Sequence, residues 1–219
     1  MNCLVSTLAL FRKPITTIMF SVKATPVIDG ICAADKSSKG GFVIVTAGGN
    51  LALLNPPSFL AEPTIVAFEH SASWVAAYKS FVIAIGEDQH DVPLLKIFRA
   101  DPLGQSAVQS VTLQSRSNRS FPVTCIALDA SDESCITYIG LENGTLLSVK
   151  FDPTKTKLSK PRPLHEFSAP ISYLGLVKDE KKLFVTTLSQ VVCLDIEPQR
   201  IQVGHSIPGS IDANSSGFG

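Results

Sequence analysis

Apolar and polar positions alternate in short runs along most of this chain, and the runs recur. Pro122-Val-Thr-Cys-Ile-Ala-Leu128 is followed by a polar turn from Asp129 to Glu133 and then by Cys135-Ile-Thr-Tyr-Ile139. Gly140-Leu-Glu-Asn-Gly144 makes a second turn before Thr145-Leu-Leu-Ser-Val-Lys-Phe151. Runs of this kind, rich in β-branched and aromatic residues and bounded by turn formers, predict an antiparallel meander. Asn143-Gly144 predicts a two-residue hairpin turn, which needs positive φ at both central positions.

The same template returns along the chain. Pro170-Ile-Ser-Tyr-Leu-Gly-Leu176 matches Pro122 to Leu128 position for position, 48 residues later. Equal steps backwards reach Trp74 and Pro26, each opening another apolar run. The next strand recurs as Phe42 to Val45, Phe81 to Ile85, Cys135 to Ile139 and Leu183 to Thr187. A period of roughly 40–50 residues with several short strands per unit is the signature of β-propeller blades. A non-repeating β-sandwich would have to reproduce the matching segments as well as the spacing. The expected fold is therefore all-β: an incomplete, WD-repeat-like β-propeller of about four blades. Innermost strands are expected to start near residues 26, 74, 122 and 170. Residues 1–22 are expected to be an amino-terminal strand or an unstructured start, 23–203 the partial propeller, and 204–219 a frayed or truncated tail.

Within the second unit, Gly86-Glu-Asp-Gln-His-Asp-Val-Pro93 reads as an inserted loop between two strands. Its polar core, Glu87, Asp88, Gln89, His90 and Asp91, is the candidate partner-binding loop. Three carboxylates and a histidine also raise a metal or acid–base reading. Adjacent residues on one loop do not converge on a point without partners from elsewhere, so an exposed, solvated loop is expected and no metal ligand is assigned. The glycine pairs Gly40-Gly41 and Gly48-Gly49 belong to no phosphate-cradling sequence. No Gly-x-Ser-x-Gly, His-Glu-x-x-His or paired-carboxylate arrangement stands out, and the four histidines lie far apart. No catalytic residue and no cofactor is expected.

Charge narrows the partners. Lys+Arg and Asp+Glu both total 19, and 17% of residues are charged, against roughly 25% in an average globular chain. No cationic excess of the kind that meets phosphates is visible, so nucleic acid is not an expected partner. No run approaches the roughly 18 apolar residues of a membrane span. The apolar start of the chain lacks a basic leader before Leu4 and a clear cleavage site, so a secretory signal is not the expected reading. Five scattered cysteines with no Cys-x-x-Cys pair suggest neither zinc nor a disulfide framework. Three Asn-x-Ser/Thr sequons, at Asn118, Asn143 and Asn214, would matter only in a secreted, sugar-binding propeller.

Gly86-Glu-Asp followed at short range by Pro93-Leu-Leu-Lys-Ile-Phe98 resembles the amino-terminal propeller of the vacuolar protein sorting-associated protein 11 (Pep-five) family. Phe98 stands where that family usually has Trp. Ile139-Gly-Leu-Glu-Asn-Gly-Thr145 is similar to the family's Gly-x-x-Asp-Gly-Ser turn, with Asn143 for Asp. Pro170 to Leu176 and Leu183 to Thr187 follow the same pattern, and the likeness runs roughly from Ile28 to Val203.

The resemblance implies a propeller of about seven blades that continues into an α-solenoid and a zinc-binding RING. This chain stops after about four, so RING chemistry is not carried over. It further implies a non-catalytic scaffold, a fragment of a core subunit of HOPS/CORVET-type tethering complexes acting in vesicle docking and fusion. The partners would be other tethering subunits. The place would be the cytoplasm, peripheral on endosome and lysosome or vacuole membranes, with membrane association through partners and no small-molecule substrate. The alternative class is a propeller enzyme or small-ligand-binding propeller.

Overall fold

The computed structural model describes residues 30–37, 40–57, 61–89, 91–114 and 119–196, with the backbone alone for 61–63 and 201–208. The described residues hold strands and no helix, grouped in four antiparallel sheets that follow one another along the chain. The first comprises β1 (Ile31–Lys36), β2 (Phe42–Thr46), β3 (Asn50–Leu54) and β4 (Ala61–Val66). The second comprises β5 (Ser71–Tyr78), β6 (Phe81–Asp88), β7 (Val92–Arg99) and β8 (Gln109–Thr112). The third runs β9 (Val123–Ala130), β10 (Cys135–Leu141) and β11 (Thr145–Asp152). Its outer position is split between β12 (Lys157–Leu158) and β13 (Arg162–Glu166), both paired with β11. The fourth comprises β14 (Ile171–Val177), β15 (Lys182–Thr187), β16 (Gln190–Ile196) and β17 (Ile201–Pro208).

These are four consecutive blades of an incomplete propeller. The inner strands of the third and fourth begin within one residue of the expected 122 and 170. β5 begins three residues before Trp74, because a bulge between Ala72 and Trp74 lets Ser71 and Ala72 join the ladder. Of the first expected run, Pro26 to Asp29 lie outside the described residues, as does the whole of 1–22. β17 continues the ladder on β16 as far as Pro208, beyond the boundary expected at 203, while 209–219 lie outside the described residues.

What holds successive blades together is apolar side-chain packing between sheet faces. Val43, Val45 and Leu51 of the first blade pack with Val75, Val82 and Ala84 of the second. Phe81, Ile83 and Ile85 meet Ile139, Val149 and Phe151 at the next junction, where the Phe81 and Phe151 rings stand edge to face, 4.9 Å apart. Tyr138 and Leu146 meet Leu174, Leu183 and Val185 at the third. Because β6 and β10 are buried on both faces, they read as nearly continuous apolar runs and not as alternations. Polar ties cross the junctions as well. Ala77 N donates to Asp35 Oδ2 (2.8 Å), Tyr78 O–H to the Ser131 carbonyl (2.6 Å) and Thr124 O–H to the Ile171 carbonyl (2.5 Å).

The Asn143-Gly144 turn forms, but not as a turn with two left-handed residues. Only Gly144 has positive φ (84°); Gly144 N donates to the Leu141 carbonyl (3.0 Å), and Asn143 Oδ1 accepts from Thr145 N (3.1 Å). The left-handed residue therefore follows the turn, and it must be glycine for a second reason. A Cβ there would collide with the Phe167 carbonyl oxygen, whose own N–H donates to Gly144 O (2.9 Å). Gly49 and Phe68 repeat the arrangement in the first blade, so one device steers the chain twice from a turn into the next blade.

The fourth blade turns one face to the third and the other to solvent. Paired residues share a face, and Tyr173, Val177, Phe184 and Val191 lie opposite the buried set of Leu174, Leu183, Val185 and Val192. Those four are 61%, 37%, 37% and 39% exposed.

Candidate functional site

The inserted loop of the second blade is shorter than the sequence suggests. Glu87 and Asp88 continue β6, and Val92 and Pro93 begin β7, in the register Gly86↔Leu94, Glu87↔Pro93 and Asp88↔Val92. The polar run is thus a hairpin whose connection is 89–91, with Gln89 and Asp91 exposed and Glu87 and Asp88 half-buried. His90 lies outside the described residues. The expectation of a uniformly exposed loop is corrected for Glu87 and Asp88: charge on its own does not end a strand when ladder bonds continue to the tip.

Asp88 is held from two sides. It accepts from Glu69 N through Oδ1 (3.0 Å) and from Lys96 Nζ through Oδ2 (2.6 Å). Lys96 Nζ also donates to the Ala67 carbonyl (2.9 Å) and stands 4.7 Å from the centre of the Phe68 ring. That ring packs on Gly86, where any Cβ would overlap it. A cation, a carboxylate, an aromatic face and a missing side chain together lock the hairpin base onto the segment entering β5.

At the tip, the chain brings in a residue from outside the hairpin. His70 lies in the turn before β5; its N–H donates to the Glu87 carbonyl (3.1 Å), and its Nε2 stands 3.6 Å from Asp91 Oδ1. Glu87 Oε2 accepts from the Ser71 hydroxyl (3.0 Å). One ligand atom each of His70, Glu87 and Asp91 lie within 4.8 Å of one another. The signal that could have found His70 was pairing. Once Trp74 is aligned with Ile85, the residues before β5 must reach Glu87.

Other reactive groups are placed for packing. Cys135 is fully buried, and burial, with Asp129 nearby, pushes its thiol up to about 12. Burial likewise raises the Cys125 thiol at the third junction, so neither presents a thiolate at neutral pH. Burial also raises the Tyr138 phenol. His165 is half-buried with its ring edge-on to Phe167, 4.4 Å between centres. No described helix is long and apolar enough to cross a membrane.

The comparisons with known proteins follow the blades. The family model of the PEP5/VPS11 N-terminal domain matches residues 17–207. This chain belongs to that family. Its members are propeller scaffolds, which fits the four sheets and their packed faces. Among solved structures, the chain is similar to the β-propeller domain of Cps50 (Swd1) from Myceliophteria thermophila, with a TM-score of 0.55 at 15% identity. That match covers 83% of this chain and 60% of the other. The computationally designed Ika4 protein is similar with a TM-score of 0.53 at 14% identity, covering 81% of this chain and 96% of that one. At such identities the likeness shows the fold alone. The chain spans about 60% of the Swd1 propeller. No curated protein matches the chain.

Proposed function

We propose that this chain is a non-catalytic protein-interaction module of a HOPS/CORVET-type tethering subunit, acting in vesicle docking and fusion at endosomes and the lysosome or vacuole. The observation that carries the reading is the family match over residues 17–207. The geometry supports binding over turnover. Rigid blades fix the positions of their connecting turns, and the hairpin tip of the second blade is anchored at its base while Gln89 and Asp91 stay exposed. The thiols of Cys125 and Cys135 are held in their unreactive form. Its partners are other tethering subunits that read the tip, and it reaches membranes through them from the cytoplasm. A tagged chain expressed in cells should co-purify with tethering subunits and none of the nucleic acid. Recovery without any tethering subunit would refute the assignment.

A further inference from the structure

We propose that His70, Glu87 and Asp91 bind one divalent first-row transition-metal ion, clamping the β6–β7 hairpin to the turn before β5. The set is not an accumulation of acids. It joins an imidazole from one segment to two carboxylates from another, and the third carboxylate of the hairpin, Asp88, is taken by Lys96 and the Glu69 N–H. Imidazole with carboxylates suits zinc and its neighbours, which take such ligands at about 2.0–2.2 Å. Ligand atoms within 4.8 Å of one another reach that distance from a common centre by small side-chain rotations.

The backbones that carry two of the ligands, His70 and Glu87, are already tied together. His70 N–H donates to the Glu87 carbonyl, and Ser71 pairs with Glu87 across the ladder. With His70 neutral, the three side chains carry a formal charge of about −2, which a divalent ion balances. His70 and Asp91 are 63% and 81% exposed, so an ion enters directly from solvent and completes its shell with water.

Equilibrium dialysis of the full chain against zinc at neutral pH, with bound metal counted per chain, tests this. His70→Ala, Glu87→Gln and Asp91→Asn should each weaken binding by roughly tenfold or more, as losing a ligand costs at least what losing a ligand's supporting contact does. Asn accommodates the φ of 55° at Asp91, and Gln keeps the acceptor for Ser71, so circular dichroism of these variants should match the parent. Cys32→Ser, which removes the thiol exposed among the described residues, should leave zinc binding unchanged. Magnesium, which prefers an all-oxygen octahedral shell, should bind far more weakly. The assignment is overturned by any of three results: no bound zinc, zinc retained in full by His70→Ala and Asp91→Asn, or magnesium bound as tightly as zinc. Loss of zinc in Cys32→Ser would overturn it as well, by moving the site to the thiol.

Discussion

Lys96 Nζ lies 2.6 Å from Asp88 Oδ2, a diagonal contact from the middle of β7 to the end of β6 beside the hairpin connection. Both side chains are largely covered, at 16% and 26% exposed, so the pair is neither free in solvent nor deep in the core. Removing one partner leaves the other charge half-desolvated without a counter-charge. Lys96→Ala also strips the Ala67 carbonyl of its donor and the Phe68 ring of its cation. A loss of about 1–3 kcal/mol is expected for Lys96→Ala, against less than about 0.5 kcal/mol for an ordinary surface change. Urea denaturation of the two variants Lys96→Ala and Asp88→Ala measures it. A change within the surface range in both would mean that the pair is ornamental.

Gly144 is constrained twice, by a φ of 84° and by the Phe167 carbonyl against its Cα. Gly144→Ala should therefore cost more than about 1 kcal/mol. Asn143→Ala should cost less, because it removes only the bond to Thr145 N. Thermal melts of the pair rank the two effects; equal melting temperatures would show that the turn can relax away from Phe167.

The propeller was legible in the sequence for a physical reason. The second strands of the two middle units, β6 and β10, are buried on both faces, so their apolar runs, Phe81 to Ile85 and Cys135 to Ile139, stand out whatever the context. The candidate site was legible only in part. Glu87 to Asp91 announced themselves by charge, but His70 lies 17 residues upstream of Glu87 and reaches it only through the ladder between β5 and β6. The pairing of Asp88 with Lys96 is not legible, since a diagonal contact within a hairpin has no fixed spacing in sequence. The place of the turn at Asn143-Gly144 is legible in the sequence but its type is not, because its form is set by the Phe167 carbonyl at the end of the same unit.

Cys135 should resist thiol reagents in the native state while Cys32, exposed on β1, reacts. Thiolate is the reacting form, and burial holds the Cys135 thiol protonated up to about 12. A pKa raised above its ordinary value of 9.0 contributes stability that is fully present below pH 9 and lost as pH rises through about 12. Peptide mass spectrometry after brief alkylation at pH 8 distinguishes the two residues; equal labelling would place Cys135 in contact with solvent.

Tyr173, Val177, Phe184 and Val191 give the fourth blade an apolar face open to solvent. A formal net charge of zero offers no repulsion to keep such faces apart. At about 25 cal/mol per Å², covering it favours association, and the chain alone at micromolar concentration should be oligomeric by light scattering. Tyr173→Ser with Phe184→Lys should shift it towards monomer. A monodisperse parent monomer would show that this face is not adhesive.

The most direct measurement is an equilibrium titration of the purified chain against the purified partner subunits of a tethering complex. Saturable binding is expected, together with its loss in a Gln89→Lys/Asp91→Lys variant that melts at the parent temperature. Absence of saturable binding, or binding untouched by reversing the charge of the hairpin tip, would contradict the reading of this chain as a tethering module that its partners recognise at the second blade.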